Sequence, residues 1–242
     1  MDFVYITGTG SGIGKALAEQ LLITGKYKVI GISRHQRIEH PHYLHITLDL
    51  SKPRQFRKFR FEHIPTAKKI VLINNAASLG EVKHIGRLKT HSIVSTYHLN
   101  LVAPAFLGNE FLRSYRSHEA EKLIINISSG AAFSPIEGWS VYCSSKAGLE
   151  MFSAVMEEEL QSDGINDTRV FSISPGVVDT AMQARIREAD PTEFHLLKQF
   201  KSYQEKGLLA DSAEVAARLE HVIAFPEEYP SRTIRLQVDG RN

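Results

Sequence analysis

Seven short runs of apolar and β-branched residues recur along the chain: Phe3 to Thr7, Lys28 to Ser33, Tyr43 to Leu48, Lys69 to Asn74, Lys122 to Ser128, Arg169 to Ser174 and Thr233 to Val238. Most are apolar throughout instead of alternating, so they must be covered on both faces, the condition of a parallel sheet between helices. The intervals carry those helices, with apolar residues at helical spacing over Ile13 to Thr24, Pro53 to Glu62, Ser92 to Tyr115, Tyr142 to Gln161 and Ala213 to Ala224. This alternation predicts an α/β fold: a doubly wound parallel sheet of about seven strands with helices on both faces. At 242 residues and 43% hydrophobic, the chain can close one large core, so residues 1–242 are expected to form a single domain. Met182 to Leu209 breaks the rhythm. It follows a strand directly, has no strand pattern of its own and is punctuated by "ADPTEF" and "EKGLLADS". It is expected to be an insertion able to cover a site as a lid.

Charge narrows the class of partner. A net charge of +2 gives no reason to expect nucleic acid or a membrane surface, so a small molecule is the expected ligand. The single cysteine, Cys143, leaves no internal disulfide framework, no charged-then-apolar leader precedes the first strand, and no apolar run reaches membrane-spanning length. A soluble, cytoplasmic protein is expected.

The turn after the first run, "TGTGSGIGK", tests three phosphate-binding templates. A P-loop fails because Thr9 stands where it needs glycine and Ala16 where it needs Ser or Thr. The G-x-G-x-x-G fingerprint started at Gly8 puts Ile13 in place of its last glycine. T-G-x-x-x-G-x-G remains, with Thr7, Gly8, Gly12 and Gly14 on a strand-turn-helix. Glycines there permit positive φ and close backbone approach while the first helical N–H groups face an anion. About twenty residues on, the second run ends in Ser33 and Arg34, where a site for NAD would want a carboxylate. Arg34 can hold a 2′-phosphate in a bidentate, charge-assisted contact, which favours NADP(H). Further along, Tyr142 and Lys146 are four residues apart on a predicted helix, so both fall on one face. A neighbouring ammonium favours the phenolate and lets such a tyrosine exchange a proton near neutral pH.

"TGTGSGIG", "INNAA", "NISSG", "YCSSK" and "SPGVVDT", in this order and at fitting distances, resemble the short-chain dehydrogenase/reductase family. "GWSVYCSSKAGLEMF" and "SPGVVDTAMQARIR" are similar to its sepiapterin reductase and benzil reductase branch. The resemblance implies a Rossmann-type fold and a catalytic set of Asn100, Ser129, Tyr142 and Lys146. In it Tyr142 is the acid, Lys146 also bonds the nicotinamide ribose, Ser129 holds the substrate oxygen and Asn100 positions a water behind the lysine. The resemblance places the cofactor on Gly8, Thr9, Ser11, Gly12, Ile13 and Gly14 of the turn, on Ser33 and Arg34, and on Asp49 and Leu50 at the adenine. It continues through Asn75, Ala76 and Ala77 under the ribose to Pro175, Gly176, Val178 and Thr180 at the carboxamide. Two departures are slight: Ser11 stands where a second basic residue sometimes occurs, and Ala77 where glycine is usual.

The implied activity is NADPH-dependent reduction of a ketone, either a vicinal dicarbonyl such as benzil or a pterin side chain, or a bulky aromatic ketone. Phe133, Trp139 and Met182 are candidates for an apolar wall beside the carbonyl, and Asp239 for an acid that anchors a pterin; Trp139 serves equally well as a packed core residue. The same residues suit the reverse reaction on an alcohol or steroid, or a non-catalytic redox sensor, although an intact catalytic set argues against the sensor. The family generally forms homodimers or homotetramers. Other features have plain readings. "KPRQFRKFR" is a solvated helix face with Phe56 and Phe59 turned inward. His84, His91 and His98 lack the spacing of a metal site, and none is expected. Cys143 has no evident base partner and reads as a small packing residue.

Overall fold

The computed structural model describes residues 1–236. Its seven strands are β1 (Asp2–Thr7), β2 (Tyr27–Ser33), β3 (Tyr43–Thr47), β4 (Lys69–Asn74), β5 (Glu121–Ile127), β6 (Thr168–Ser174) and β7 (Thr233–Arg235). They pair in parallel in the order β3-β2-β1-β4-β5-β6-β7. The chain winds outward from β1 to β3, then crosses back to β4 and winds the other way. The crevice above the C-terminal ends of β1 and β4 is therefore the switch point where such sheets bind ligands.

Helices cover both faces, as the continuously apolar strands require. On one side α1 (Gly12–Ile23) and α8 (Ser212–Ala224) bury Leu17, Leu21, Val215 and Leu219 against the sheet. On the other, α4 (Ala103–Tyr115) and α5 (Ser140–Ser162) bury Leu107, Phe111, Met156 and Leu160. Each such side chain contributes about 1.5–3 kcal/mol on leaving water.

Two helices depart from expectation. The one expected over Pro53 to Glu62 is only α2 (Pro53–Phe56). Phe59 and Phe61 both reach the same core, with rings edge-on at 4.9 Å, and neighbours two apart cannot share one face of a helix. Phe56 and Phe59 still turn inward as read. The helix expected over Ser92 to Tyr115 is α3 (Thr90–Tyr97) and α4 joined by a π turn, His98–Val102. Pro104 has no N–H to give the Asn100 carbonyl, so the ladder cannot run through in α register.

The insertion after β6 has no strand and forms α6 (Ala181–Arg187) and α7 (Leu197–Glu205). Its base is closed by Asp179 N–H to Ala210 O and Ala210 N–H to Val177 O, both 2.9 Å. Its body lies on two neighbouring loops. Glu193 accepts from His84 N–H (2.8 Å) and Arg87 Nη1 (2.9 Å), while Glu137 pairs with His84 Nε2 (3.0 Å) and with His195. Beneath lies a third apolar cluster of Leu79, Ala131, Trp139, Tyr142, Ile186, Phe194 and Leu197. Among the described residues no helix is long and apolar enough to cross a membrane.

Candidate active site

The glycine turn and the end of β4 are bound together at the switch point. Thr7 Oγ1 accepts the N–H groups of Asn75 and Ala76, and Asn75 Nδ2 donates to Thr7 O, each at 2.9 Å. Gly14 is required by packing: a Cβ there would lie 2.6 Å from Gly8 O and 2.3 Å from Asn75 Nδ2. The missing side chain brings the first turn of α1 directly onto the strand ends. Ser11 is the N-cap of α1, yet its hydroxyl makes no capping bond and no acid lies in the first turn. The N–H groups opening this twelve-residue helix thus keep their capacity for an external anion, which is the chemistry a dinucleotide pyrophosphate needs.

Other residues expected to hold the nucleotide are arranged less uniformly. Ser33 and Arg34 leave the end of β2, with Ser33 Oγ donating to His35 O at 2.9 Å. Arg34 is exposed and makes no hydrogen bond or ion pair among the described residues. The Thr9 side chain is buried, with Oγ1 2.9 Å from Tyr43 Oη, so what Thr9 offers a ligand is its main chain. Leu50 is likewise a core side chain, packed with Phe56 and Phe61. Asp49 accepts from Ser51 Oγ at 2.7 Å and lies 3.4 Å from Lys52 Nζ. Burial pushes its pKa up, but Ser51 and Lys52 outweigh burial and hold the carboxyl below its ordinary value. Beyond β6, Pro175 and Val178 are buried, and Thr180 caps α6 through Gln183 N–H at 3.4 Å.

The side chains expected to handle protons converge where α5 begins, beside the end of β5. Ser129 caps a short 3-10 turn through Ala131 N–H (3.2 Å), where β5 ends and the chain leads on to Tyr142 in α5. Burial raises the Tyr142 pKa above its ordinary value, and the Ser129 hydroxyl opposes this. Lys146 is 3% exposed, its Nζ 5.9 Å from the Tyr142 ring centroid and 2.7 Å from Ile127 O. Burial lowers its pKa to about 8, against the pull of Glu150 one turn on. The π turn sets Asn100 against α5. There Asn100 Nδ2 donates to Ser145 Oγ (3.0 Å) and Ser78 O (2.8 Å), while Oδ1 accepts from Ser78 N–H (2.8 Å).

The expected substrate wall is placed differently residue by residue. Trp139 is 5% exposed and stacks on Phe194 of the insertion at 5.3 Å, with Phe200 at 5.4 Å and the Tyr142 ring edge-on at 5.6 Å. It is a packing residue between the insertion and Tyr142. Phe133 is 48% exposed with the Arg235 guanidinium 5.3 Å over its ring, and it borders a depression shared with Cys143, Ser144 and Ala147 on the outer face of α5. Met182 packs partly buried against the Trp139 cluster. Asp239 lies outside the described residues. Sequence reading missed Ser78 and Ser145, which orient Asn100, and Tyr43, which ties β3 to the turn; Ser145 stands inside "YCSSK" and Ser78 directly after "INNAA", whereas Tyr43 stands in no motif. Pro104 was the available signal for the π turn.

A glycine turn at the switch point that leaves its helix N-terminus open to an anion, with a half-buried Ser129 and the buried Tyr142 and Lys146 beside it, fits an oxidoreductase that uses a nicotinamide cofactor. The chain belongs to the short chain dehydrogenase family, whose model matches residues 2–191. It is 34% identical over 244 residues to a benzil reductase ((S)-benzoin forming) of Bacillus cereus, covering 95% of this chain and 96% of the relative. Over 153 residues it is 33% identical to a sepiapterin reductase of Xenopus tropicalis, covering 61% of this chain and 56% of that one. A solved short chain dehydrogenase/reductase of Saccharomyces cerevisiae superposes with a TM-score of 0.82 at 20% identity, over 99% of this chain and 97% of that one.

Proposed function

We propose that this oxidoreductase is a cytoplasmic, NADPH-dependent carbonyl reductase whose substrate is a vicinal dicarbonyl or a bulky aromatic ketone. The observation that carries this reading is the convergence of Ser129, Tyr142 and Lys146 beside an uncapped phosphate-binding helix. Similarity to benzil reductase over nearly the whole chain supports the dicarbonyl, and the exposed Arg34 with no acid at the end of β2 supports NADPH.

When bound, the reduced nicotinamide supplies the hydride. The burial that raises the Tyr142 pKa keeps the phenol protonated until an alkoxide forms beside it, as a general acid requires. Tyr142 then gives its proton to the substrate oxygen, on which the Ser129 hydroxyl donates a hydrogen bond, opposing charge where it develops. The Lys146 ammonium stabilises the phenolate left behind. Asn100, fixed by Ser78 and Ser145, connects this group to the loop after β4. The neighbouring outer faces of α3, the π turn and α5 expose Val94, Val102, Met151 and Val155, which supports assembly as a homo-oligomer.

The test is NADPH oxidation with benzil, sepiapterin and a simple aromatic ketone in parallel, with NADH as control. Turnover of a dicarbonyl with preference for NADPH is the expected result. Oxidation of an alcohol by NADP without reduction of any of these ketones would overturn the reading.

A further inference from the structure

Four of the chain's eleven histidines, His35, His40, His42 and His45, fall within the eleven residues that lead from the end of β2 into β3. They share the segment with Arg34, Arg37 and only one acid, Glu39. The segment therefore carries little net charge when its imidazoles are neutral and becomes strongly cationic as they protonate. This is the rim on which the proposed function places the 2′-phosphate.

Within the rim His45 is positioned from below. Its ring stacks on Tyr43 (centroids 6.3 Å apart) with Nδ1 3.4 Å from Tyr43 Oη, and Tyr43 Oη is in turn 2.9 Å from Thr9 Oγ1 in the glycine turn. Tyr43 reaches Thr9 across β2 because position 31 has no side chain. A Cβ on Gly31 would lie 2.0 Å from Tyr43 Oη and 2.6 Å from Thr9 Oγ1. The other ring nitrogen, His45 Nε2, is closed off from solvent with no hydrogen-bond partner among the described residues. Burial and the nearby charge of His35 lower the His45 pKa, against a smaller opposing effect of the Ser33 backbone. In the parallel pairing of β2 and β3, His45 lies opposite Gly31 and Thr47 opposite Ser33, so His45 adjoins the strand end that leads directly into Arg34 and His35.

The other charged or titratable groups around the pair are few. The loop offers Arg34, Arg37, Glu39, His40 and His42, and β3 offers Tyr43. Past β3, Asp49 is occupied by Ser51 and Lys52; in the first helical turn after the glycines, Lys15 is paired with Glu19. No carboxylate is free to neutralise the imidazoles from the glycine turn, which has no charged residue between Thr7 and Gly14.

We propose that His35 and His45 act with Arg34 as a proton-linked reader of the 2′-phosphate, so that binding NADPH takes up a proton and selectivity for NADPH over NADH rises as pH falls. The physical reason is that a phosphate dianion placed on this rim favours the charged imidazole, and by linkage protonation favours the dianion. NADH brings no such charge to the rim. The 2′-phosphate itself gains a proton only near pH 6, which would weaken binding, so tightening above that pH must come from the protein.

This inference rests on the NADPH reading, and binding measurements separate the two. Dissociation constants of NADPH and NADH would be taken by cofactor fluorescence between pH 8.5 and 6.5, and proton uptake by calorimetry in buffers of different ionisation enthalpy. The NADPH to NADH preference should rise about tenfold over this range, with net proton uptake for NADPH alone. His45→Gln and the exposed His35→Gln should each flatten the slope, the latter without touching the core. A strong NADPH preference, lost in Arg34→Ala but flat with pH and free of proton uptake, would overturn the histidine reader and leave the NADPH reading standing. No preference for NADPH at any pH, unchanged by Arg34→Ala, would overturn both.

Discussion

Removing the Trp139 side chain separates its packing role from a part in the substrate wall. The indole lies between the insertion and Tyr142, stacked on Phe194 within 9° of parallel and edge-on to Phe200 and Tyr142. It belongs to a cluster distinct from the two that flank the sheet. Replacing a buried aromatic by alanine costs about 3–5 kcal/mol through lost transfer energy and an unfilled cavity. Here much of that loss falls on the contact that holds the insertion against the body of the fold. Trp139→Ala should therefore raise amide exchange in α7 about a hundredfold or more, since each 1.4 kcal/mol is tenfold. The ion pairs of Glu193 with Arg87 and of Glu137 with His84 remain, but each has a solvent-exposed member and does not replace the stacked aromatic contact. Hydrogen exchange read by mass spectrometry, with steady-state kinetics alongside, is the assay. Turnover should fall as well, because Tyr142 loses the ring that fixes its edge. Unchanged exchange over 182–209 together with a reordered preference among ketones would refute the packing argument and place Trp139 in the substrate wall.

Two further outcomes follow from the same geometry. Tyr142→Phe should lower kcat by at least about a hundredfold while leaving NADPH affinity within a factor of about two, read by single-turnover kinetics and fluorescence titration; retained turnover would remove Tyr142 from the acid role. Lys146→Met tests the buried cation through stability. The folded pKa of about 8 lies below the ordinary 10.5, so the unfolded chain binds more protons between these values, and the native protein gains stability as pH rises through that window. The melting temperature of the native protein relative to Lys146→Met should accordingly climb between pH 8 and 10, and a pH-independent difference would show that the lysine is not depressed.

Several features were legible because they are local. Strands apolar on both sides announce a sheet covered on both faces, and glycines between a strand and a helix announce close backbone approach. Residues four apart on a helix share a face whatever surrounds them, so Tyr142 and Lys146 could be paired from spacing alone. The insertion was visible as a long stretch without strand character. The shortened α2 was not, because its residues have helical spacing and only the positions of Phe59 and Phe61 in the core reveal that both must turn inward.

The linear order of residues thus determined the sheet, its crossover, the glycine turn and the pairing of Tyr142 with Lys146 on one helix face, because these depend on periodicity and backbone freedom over a few neighbours. Tertiary packing decided what each group can do. It buried Trp139 under the insertion, turned the Thr9 side chain inward through Tyr43 and the space at Gly31, and set Asn100 on a π turn between Ser78 and Ser145. It also lowered the Lys146 pKa and raised that of Tyr142, since the cost of a charge depends on the water and partners removed around it, and these come from segments far apart in the chain.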